Sequence, residues 1–183
     1  MLVLKSTELV FAKVKPEAKI PSKRMEDGAY DVYACFKEDY IVIRPHETKL
    51  IPTGIATAFT PDYVAIVKER GSTGTKGMGQ RAGVIDSGYR GEWFLPITNH
   101  NDYTLVIAKD EDQFLHGEPG WVEAEYGDEE YLERGFELYP YEKAIGQFIM
   151  VEVPRLTTKE ISFEELQAIP SERGAGALGS SGK

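Results

Sequence analysis

Cysteine is almost absent. Cys35 stands alone, which excludes an internal disulfide framework and a thiolate-built zinc site. Histidine is nearly as scarce, and His46, His100 and His116 show no metal-ligand spacing. Long apolar runs are also missing. The N-terminal MLVLKSTELVFAKVKPEA has no block long enough for a signal peptide or a spanning helix, so the expectation is cytoplasmic residence with no membrane partner. Basic clusters are missing too, since the Lys and Arg residues are dispersed. Phosphate-backbone binding needs a basic face, so nucleic acid is not an expected partner.

What is present is acidity confined to one place. The net charge is −9, yet residues 100–142 hold 13 of the 30 acidic residues and only 2 of the 21 basic ones. The rest of the chain is close to neutral. This segment also carries Tyr103, Phe114, Trp121, Tyr126, Tyr131, Phe136, Tyr139 and Tyr141. An acidic run with this many rings reads as a folded insertion of about residues 100–142 between two core strands, not as a solvated tail. The last residues, 171–183, are rich in Gly, Ser and Ala and read as a mobile tail.

Short β-type runs dominate the remainder. They are Leu2–Leu4, Leu9–Val14, Tyr30–Phe36, Tyr40–Ile43, Gly54–Phe59, Tyr63–Lys68, Trp93–Thr98, Tyr103–Ala108 and Ala144–Val153. Turn formers separate them. Many short strands at close spacing predict an all-β sandwich or barrel in a single domain, residues 1–182. Ser162 and Glu165 suit a capping box for a helix at Phe163–Ala168, although ISFEEL also alternates like a strand. Two apparent nucleotide motifs fail on context. GAGALG at 174–179 has the dinucleotide glycine spacing, but only four residues follow it, too few for a helix that receives a pyrophosphate. In Gly71–Gly77 the lysine follows Thr75, where a P-loop lysine follows glycine.

The stretch ERGSTGTKGMGQRAGVIDSGYRGE, residues 69–92, carries the chemistry. Arginine presents a planar fork to phosphate oxygens, and glycines let backbone N–H groups approach a phosphate. An acid followed three residues later by a ring supplies a base and a flat surface. Together these residues predict a phosphate-and-nucleoside site on a hairpin.

This run closely resembles two neighbouring motifs of the homotrimeric dUTPases, and the resemblance extends along the chain. Gly28-Ala29-Tyr30-Asp31-Val32 is similar to the first motif. The resemblance implies that Asp31 holds waters of a Mg²⁺ bound to the triphosphate, which needs few protein ligands because magnesium keeps much of its hydration. Arg70-Gly71-Ser72-Thr73 resembles the second, phosphate-binding motif, with Gly71 where the family usually has serine and Ser72 beside it. The third motif, Gly83–Glu92, implies that Asp86 orients and deprotonates the attacking water and that Tyr89 lies beneath the deoxyribose. It also implies that backbone groups at Val84 and Ile85 read uracil. Gln80 stands where family members often carry asparagine. Gln147, in KAIGQF, matches the glutamine that supports the phosphate loop. RGAGALGSSG resembles the fifth motif, with Arg173, Ser180 and Ser181 on phosphate oxygens and Leu178 where a phenylalanine stacks on the base. Trp93 or Phe94 is a candidate to supply that ring, with core packing as the alternative.

The implied fold is a dUTPase-like jelly-roll β-sandwich or barrel carrying the inserted acidic segment, assembled as a homotrimer whose sites combine residues of several subunits. The implied reaction is hydrolysis of dUTP to dUMP and pyrophosphate with Mg²⁺. dCTP deaminases share the fold and use a glutamate three residues before an asparagine. Here Asn99 is present, but the matching position is Pro96, which has no carboxylate. An interaction protein is the other reading, with residues 102–141 as the surface for a protein partner, against a solvated flap or an edge of the trimer.

Overall fold

The β-branched and aromatic runs do form strands. In the computed structural model, which describes residues 4–110, 112, 120–123, 129–132 and 136–175, the chain is almost entirely β. The strands are β1 (Val10–Lys13), β2 (Tyr30–Tyr33), β3 (Tyr40–Ile43), β4 (Thr48–Pro52), β5 (Ile55–Ala58) and β6 (Tyr63–Lys68). A one-turn helix, α1 (Gly71–Gly74), precedes β7 (Met78–Gln80), β8 (Val84–Ile85), β9 (Phe94–Asn99) and β10 (Leu105–Ala108). Then come β11 (Gly120–Glu123), β12 (Glu129–Leu132), β13 (Glu137–Pro140), β14 (Ala144–Glu152) and α2 (Phe163–Gln167).

A four-stranded sheet, ordered β2-β14-β6-β8, forms one layer. Sheets β4-β9-β7 and β13-β10-β3 and the β1-β5 pair supply the rest. The period-two alternation of β14 turns Phe148 inward and Ile149 and Val151 outward. Phe148 sits at the centre of the core, stacked on Tyr30 at 5.0 Å and meeting Trp93 edge-on at 5.1 Å. Val32, Ala65 and Val67 of the four-stranded sheet pack there with Ile51, Leu95, Ile97, Leu105 and Ile107 of the other sheets.

Two strands of the acidic segment belong to this framework. β10 pairs antiparallel with β3 and parallel with β13. All four β10 residues are buried, as a strand covered on both faces requires. Leu105 and Ile107 face the main core, while Val106 and Ala108 form a second cluster with Val42, covered by Tyr40, Phe136 and Leu138. The chain therefore leaves the sheet after Ala108 and returns by Glu137. The β11–β12 pair lies within that excursion.

Residues 154–183 form a separate unit. Within it Ser162 accepts from the Glu165 N–H and Glu165 reaches back to the Ser162 N–H, a complete capping box that resolves ISFEEL as helix. Phe163, Leu166 and Ile169 are all more than half exposed. The expectation of a strand at Leu2–Leu4 falls largely outside the described residues. Among the described residues, no helix is long and apolar enough to cross a membrane.

Candidate active site

Sheet register brings three of the expected residues to one place. Asp31 on β2 pairs with Gln147 on β14, and Gln147 pairs with Lys68 on β6. Two residues beyond Lys68, Arg70 turns back across the sheet. Its guanidinium grips Asp31 with both arms, Nε to Oδ1 at 2.8 Å and Nη2 to Oδ2 at 3.1 Å. The Gln147 amide donates to the Glu69 carbonyl at 2.9 Å, fixing the entry to the loop. Asp31, Arg70 and Gln147 line a polar cleft of about 800 Å³ together with Ser22, Lys23, Arg24, Asp27 and Gly28.

The loop after Arg70 is ordered by its own side chains. Glycine and threonine are poor helix formers, yet α1 forms because Thr73 Oγ1 accepts the Arg70 N–H at 2.8 Å and donates to the Arg70 carbonyl at 3.1 Å. Thr73 is fully buried there. Ser72 is exposed and accepts from Arg70 Nη1 at 3.4 Å. A Cβ at Gly71 meets nothing within 4 Å, so no steric demand selects glycine at that position.

The hairpin lies at the far edge of the same sheet. β8 pairs only through Ala65↔Ile85 and Ile66↔Val84, and the Gly83 carbonyl accepts the Val67 N–H at 2.8 Å. Gly83 has φ +123°, and a Cβ there stands 2.7 Å from the Val67 carbonyl oxygen. Glycine is required at this position by both backbone angle and space. Asp86 follows β8, opens a turn closed by Tyr89 N–H to Asp86 carbonyl at 3.1 Å, and is exposed. Tyr89 is 44% exposed, with its hydroxyl donating to the Glu92 carbonyl at 2.9 Å. Below the hairpin, Glu92 is the anchor. Its carboxylate accepts the Gly54 N–H at 2.8 Å and pairs with Lys15 at 3.2 Å.

Register places Asp86 three strands across and four residues along from Asp31, about 20 Å away by the usual strand spacings. Within one chain, the cleft and the hairpin are therefore separate. Gln80 lies on β7 and donates to the Arg81 carbonyl at 2.9 Å. Val84 is exposed and Ile85 half-buried against the core. Arg173 is exposed in the second unit, and Leu178, Ser180 and Ser181 lie outside the described residues. Trp93 is fully buried against Phe148, so it is the core-packing alternative and not a base-stacking ring. Phe94 is 45% exposed. Asn99 is a satisfied core amide, donating to the Ile43 and Tyr103 carbonyls and accepting the Asn101 N–H. The Pro96 carbonyl accepts the Arg81 N–H at 2.9 Å.

Sequence reasoning passed over Tyr139 and Glu92. Tyr139 is 2% exposed behind Arg70, and burial raises its pKa while the guanidinium partly offsets that rise. The one signal it left was a tyrosine among acids, flanked by Leu138 and Pro140.

Residues 5–112 match the family model described as dCTP deaminase-like. The deoxyuridine 5'-triphosphate nucleotidohydrolase of Leptospira interrogans is 31% identical over 99 residues, covering 52% of this chain and 68% of that protein. The protein of the same name from Paraburkholderia xenovorans is 28% identical over 184 residues, covering 93% and 99%. Among solved structures, the dUTPase of Staphylococcus bacteriophage 80alpha with dUPNHPP superposes with a TM-score of 0.69 at 20% identity, covering 97% and 99%. Its likeness establishes the jelly-roll fold.

Proposed function

The chain belongs to the dCTP deaminase-like family and within it to the dUTPases, and on that basis we propose that it hydrolyses dUTP to dUMP and pyrophosphate in the cytoplasm, as a homotrimer. The observation that carries this reading is the Asp31–Arg70–Gln147 cluster in a polar cleft, on the same sheet as the GVIDSGY hairpin. A reacting phosphorus must stand about 3 Å from both the attacking water and its stabilising groups, with the base one hydrogen bond behind that water. Half-sites about 20 Å apart in one chain meet that demand only if another subunit's hairpin closes over the cleft. The outward aliphatic residues between them, Val64, Ile66, Val84, Ile149 and Val151, suit burial by that subunit.

In this site Arg70, its neighbouring N–H groups and Ser72 hold phosphate oxygens, and Gln147 keeps the loop in place. Asp86 takes a proton from a water as that water's oxygen bonds to the α-phosphorus. The bond from the α-phosphorus to the bridging oxygen breaks, and pyrophosphate leaves with the electron pair. Positioning of this kind lowers the barrier mainly through avoided entropy loss. Tyr89 lies under the deoxyribose, the Val84 and Ile85 backbone and Gln80 face the base, and Arg173, Ser180 and Ser181 close from the tail.

The described residues contain no group of three or more His, Cys, Asp or Glu side chains able to hold a bare metal ion. They suit a hydrated Mg²⁺ carried by the substrate: Asp31, on the cleft wall, would hold it through water, as an ion that keeps much of its hydration needs few protein ligands. Bound there, it would neutralise triphosphate charge.

The test is pyrophosphate release from dUTP with Mg²⁺, run beside dCTP, dTTP and UTP and repeated with Asp86→Asn. Turnover of dUTP alone, reduced about 10²–10⁴-fold in the variant, is expected. No turnover by a folded trimer refutes the reading. Such an outcome favours a binding protein acting through residues 102–141. Release of ammonia from dCTP identifies a deaminase despite Pro96.

A further inference from the structure

We infer that Tyr139, on the strand that returns from the acidic segment, is a positioning residue that fixes the guanidinium of Arg70. The inference rests on the proposed role of Arg70 in holding phosphate.

The device starts with a bulge. β14 pairs with β2 as Ala144↔Tyr33 and then Gly146↔Val32, so Ile145 is an extra residue and the register shifts there. Bulges re-aim the groups beside them. Here the Ala144 carbonyl accepts the Tyr139 hydroxyl at 2.6 Å, and Arg70 Nη1 approaches the same oxygen at 3.5 Å. Two donors, one from β13 and one from the loop before α1, thus converge on one acceptor. A tyrosine hydroxyl has one hydrogen to donate. With that hydrogen committed to Ala144, the hydroxyl fixes the carbonyl against which Arg70 Nη1 rests, while the Ser72 hydroxyl accepts from the same Nη1 at 3.4 Å.

The other edge of Arg70 is committed as well, to Asp31 through Nε and Nη2. The plane is therefore set from both sides. Asp31 holds Nε and Nη2, while Ser72 and the Ala144 carbonyl, itself fixed by the Tyr139 hydroxyl, hold Nη1. Tyr139 is held by its own packing, since its ring is 2% exposed in the main core. Without the hydroxyl, the Ala144 carbonyl loses its short donor, and Nη1 is left with a long contact to a carbonyl no longer fixed and one to an exposed serine. Arg70 then samples other orientations on the cleft wall. Recognition of a planar fork depends on such pre-organisation.

Tyr139→Phe keeps the ring and removes only the hydroxyl. Its effect is read first on the Arg70 Nε–H signal in a ¹⁵N spectrum, assigned by its absence in Arg70→Lys. Tyr141→Phe, the same change two residues on at a hydroxyl beside Cys35, is the control. The Arg70 signal shifts or broadens in Tyr139→Phe and stays put in Tyr141→Phe. In turnover, Tyr139→Phe raises KM for dUTP about fivefold, the worth of one net hydrogen bond, with kcat within about twofold. An unmoved Arg70 signal overturns the inference, and so does a moved signal with unchanged KM. If Tyr139→Phe does not fold, the wild-type Tyr139 ¹³Cζ signal compared with that in Arg70→Lys gives the reciprocal reading, and no difference there also overturns it. If wild-type protein does not turn over dUTP, the functional reading fails while the spectra still decide what Tyr139 does.

Discussion

Replacing Gly83 with alanine adds one methyl group, and the structure assigns it two separate costs. At φ +123° an L-residue is strained, at about 1–3 kcal/mol. The new Cβ also stands 2.7 Å from the Val67 carbonyl oxygen and 3.2 Å from the Val67 Cβ. β6 and β8 must separate by several tenths of an ångström, which weakens the 2.8 Å bond from the Val67 N–H to the Gly83 carbonyl, worth about 1 kcal/mol net. The total is about 2–4 kcal/mol. If the whole domain carries it, Tm falls by about 4–16 °C at the 2–4 °C per kcal/mol typical of this size. β8 is a two-residue edge strand, however, so the hairpin can instead detach alone. In that case Tm moves less, while amides of residues 84–89 lose exchange protection and turnover drops at least a hundredfold because Asp86 is no longer held. Calorimetry, hydrogen exchange and pyrophosphate release on one preparation distinguish these outcomes. Wild-type Tm together with wild-type turnover refutes the argument.

Three further outcomes are expected. Arg70→Lys replaces a two-armed contact to Asp31 at 2.8 and 3.1 Å with a single ammonium, so KM for dUTP rises about tenfold or more; a change under twofold contradicts that role for the fork. Phe148→Ala removes the ring that Tyr30 and Trp93 pack against and lowers unfolding free energy by about 3–5 kcal/mol in urea titrations. The Tyr141 hydroxyl is pushed up to about 12 from 10, first by burial and then by the charge of Cys35, so the folded state holds its proton more tightly than the unfolded chain. Its contribution to stability is complete below pH 10 and is lost as pH rises from 10 to 12. Melting temperatures of the wild type should fall more steeply across that window than those of Tyr141→Phe, and parallel curves count against the burial argument.

The long β-branched runs were legible because their alternation matches their pairing, as at Tyr63–Lys68 and Tyr40–Ile43. β4, β7 and β8 were not. Lys49 and Pro52 disguise β4, Gly79 weakens β7, and Val84-Ile85, though β-branched, is too short a run to read as a strand; these strands exist because β9 and β6 offer partners. α1 runs against propensity and depends on the Thr73 side chain. Asp31, Arg70 and Gln147 could be named from motifs, but their convergence follows from register, which no local pattern encodes. Tyr139 and Glu92 were missed for a related reason. They touch other site residues, and such roles appear only once strands far apart in sequence are laid side by side.

The parallel pairing of β10 with β13 fixes both ends of the acidic excursion in adjacent strands, with Leu105 beside Glu137 and Ala108 beside Pro140. A parallel pair needs a crossover of a dozen residues or more, so this stretch has a floor on its length and almost no ceiling. Closing a loop becomes costlier only with the logarithm of its length, about 0.6 kcal/mol per doubling. Trimming inside residues 109–136 is therefore tolerated down to that floor, whereas a cut from 102 to 141 removes two core strands and Tyr139 with them. The fold thus has a port where sequence can be lengthened or exchanged wholesale while the loop after Arg70 stays where it is.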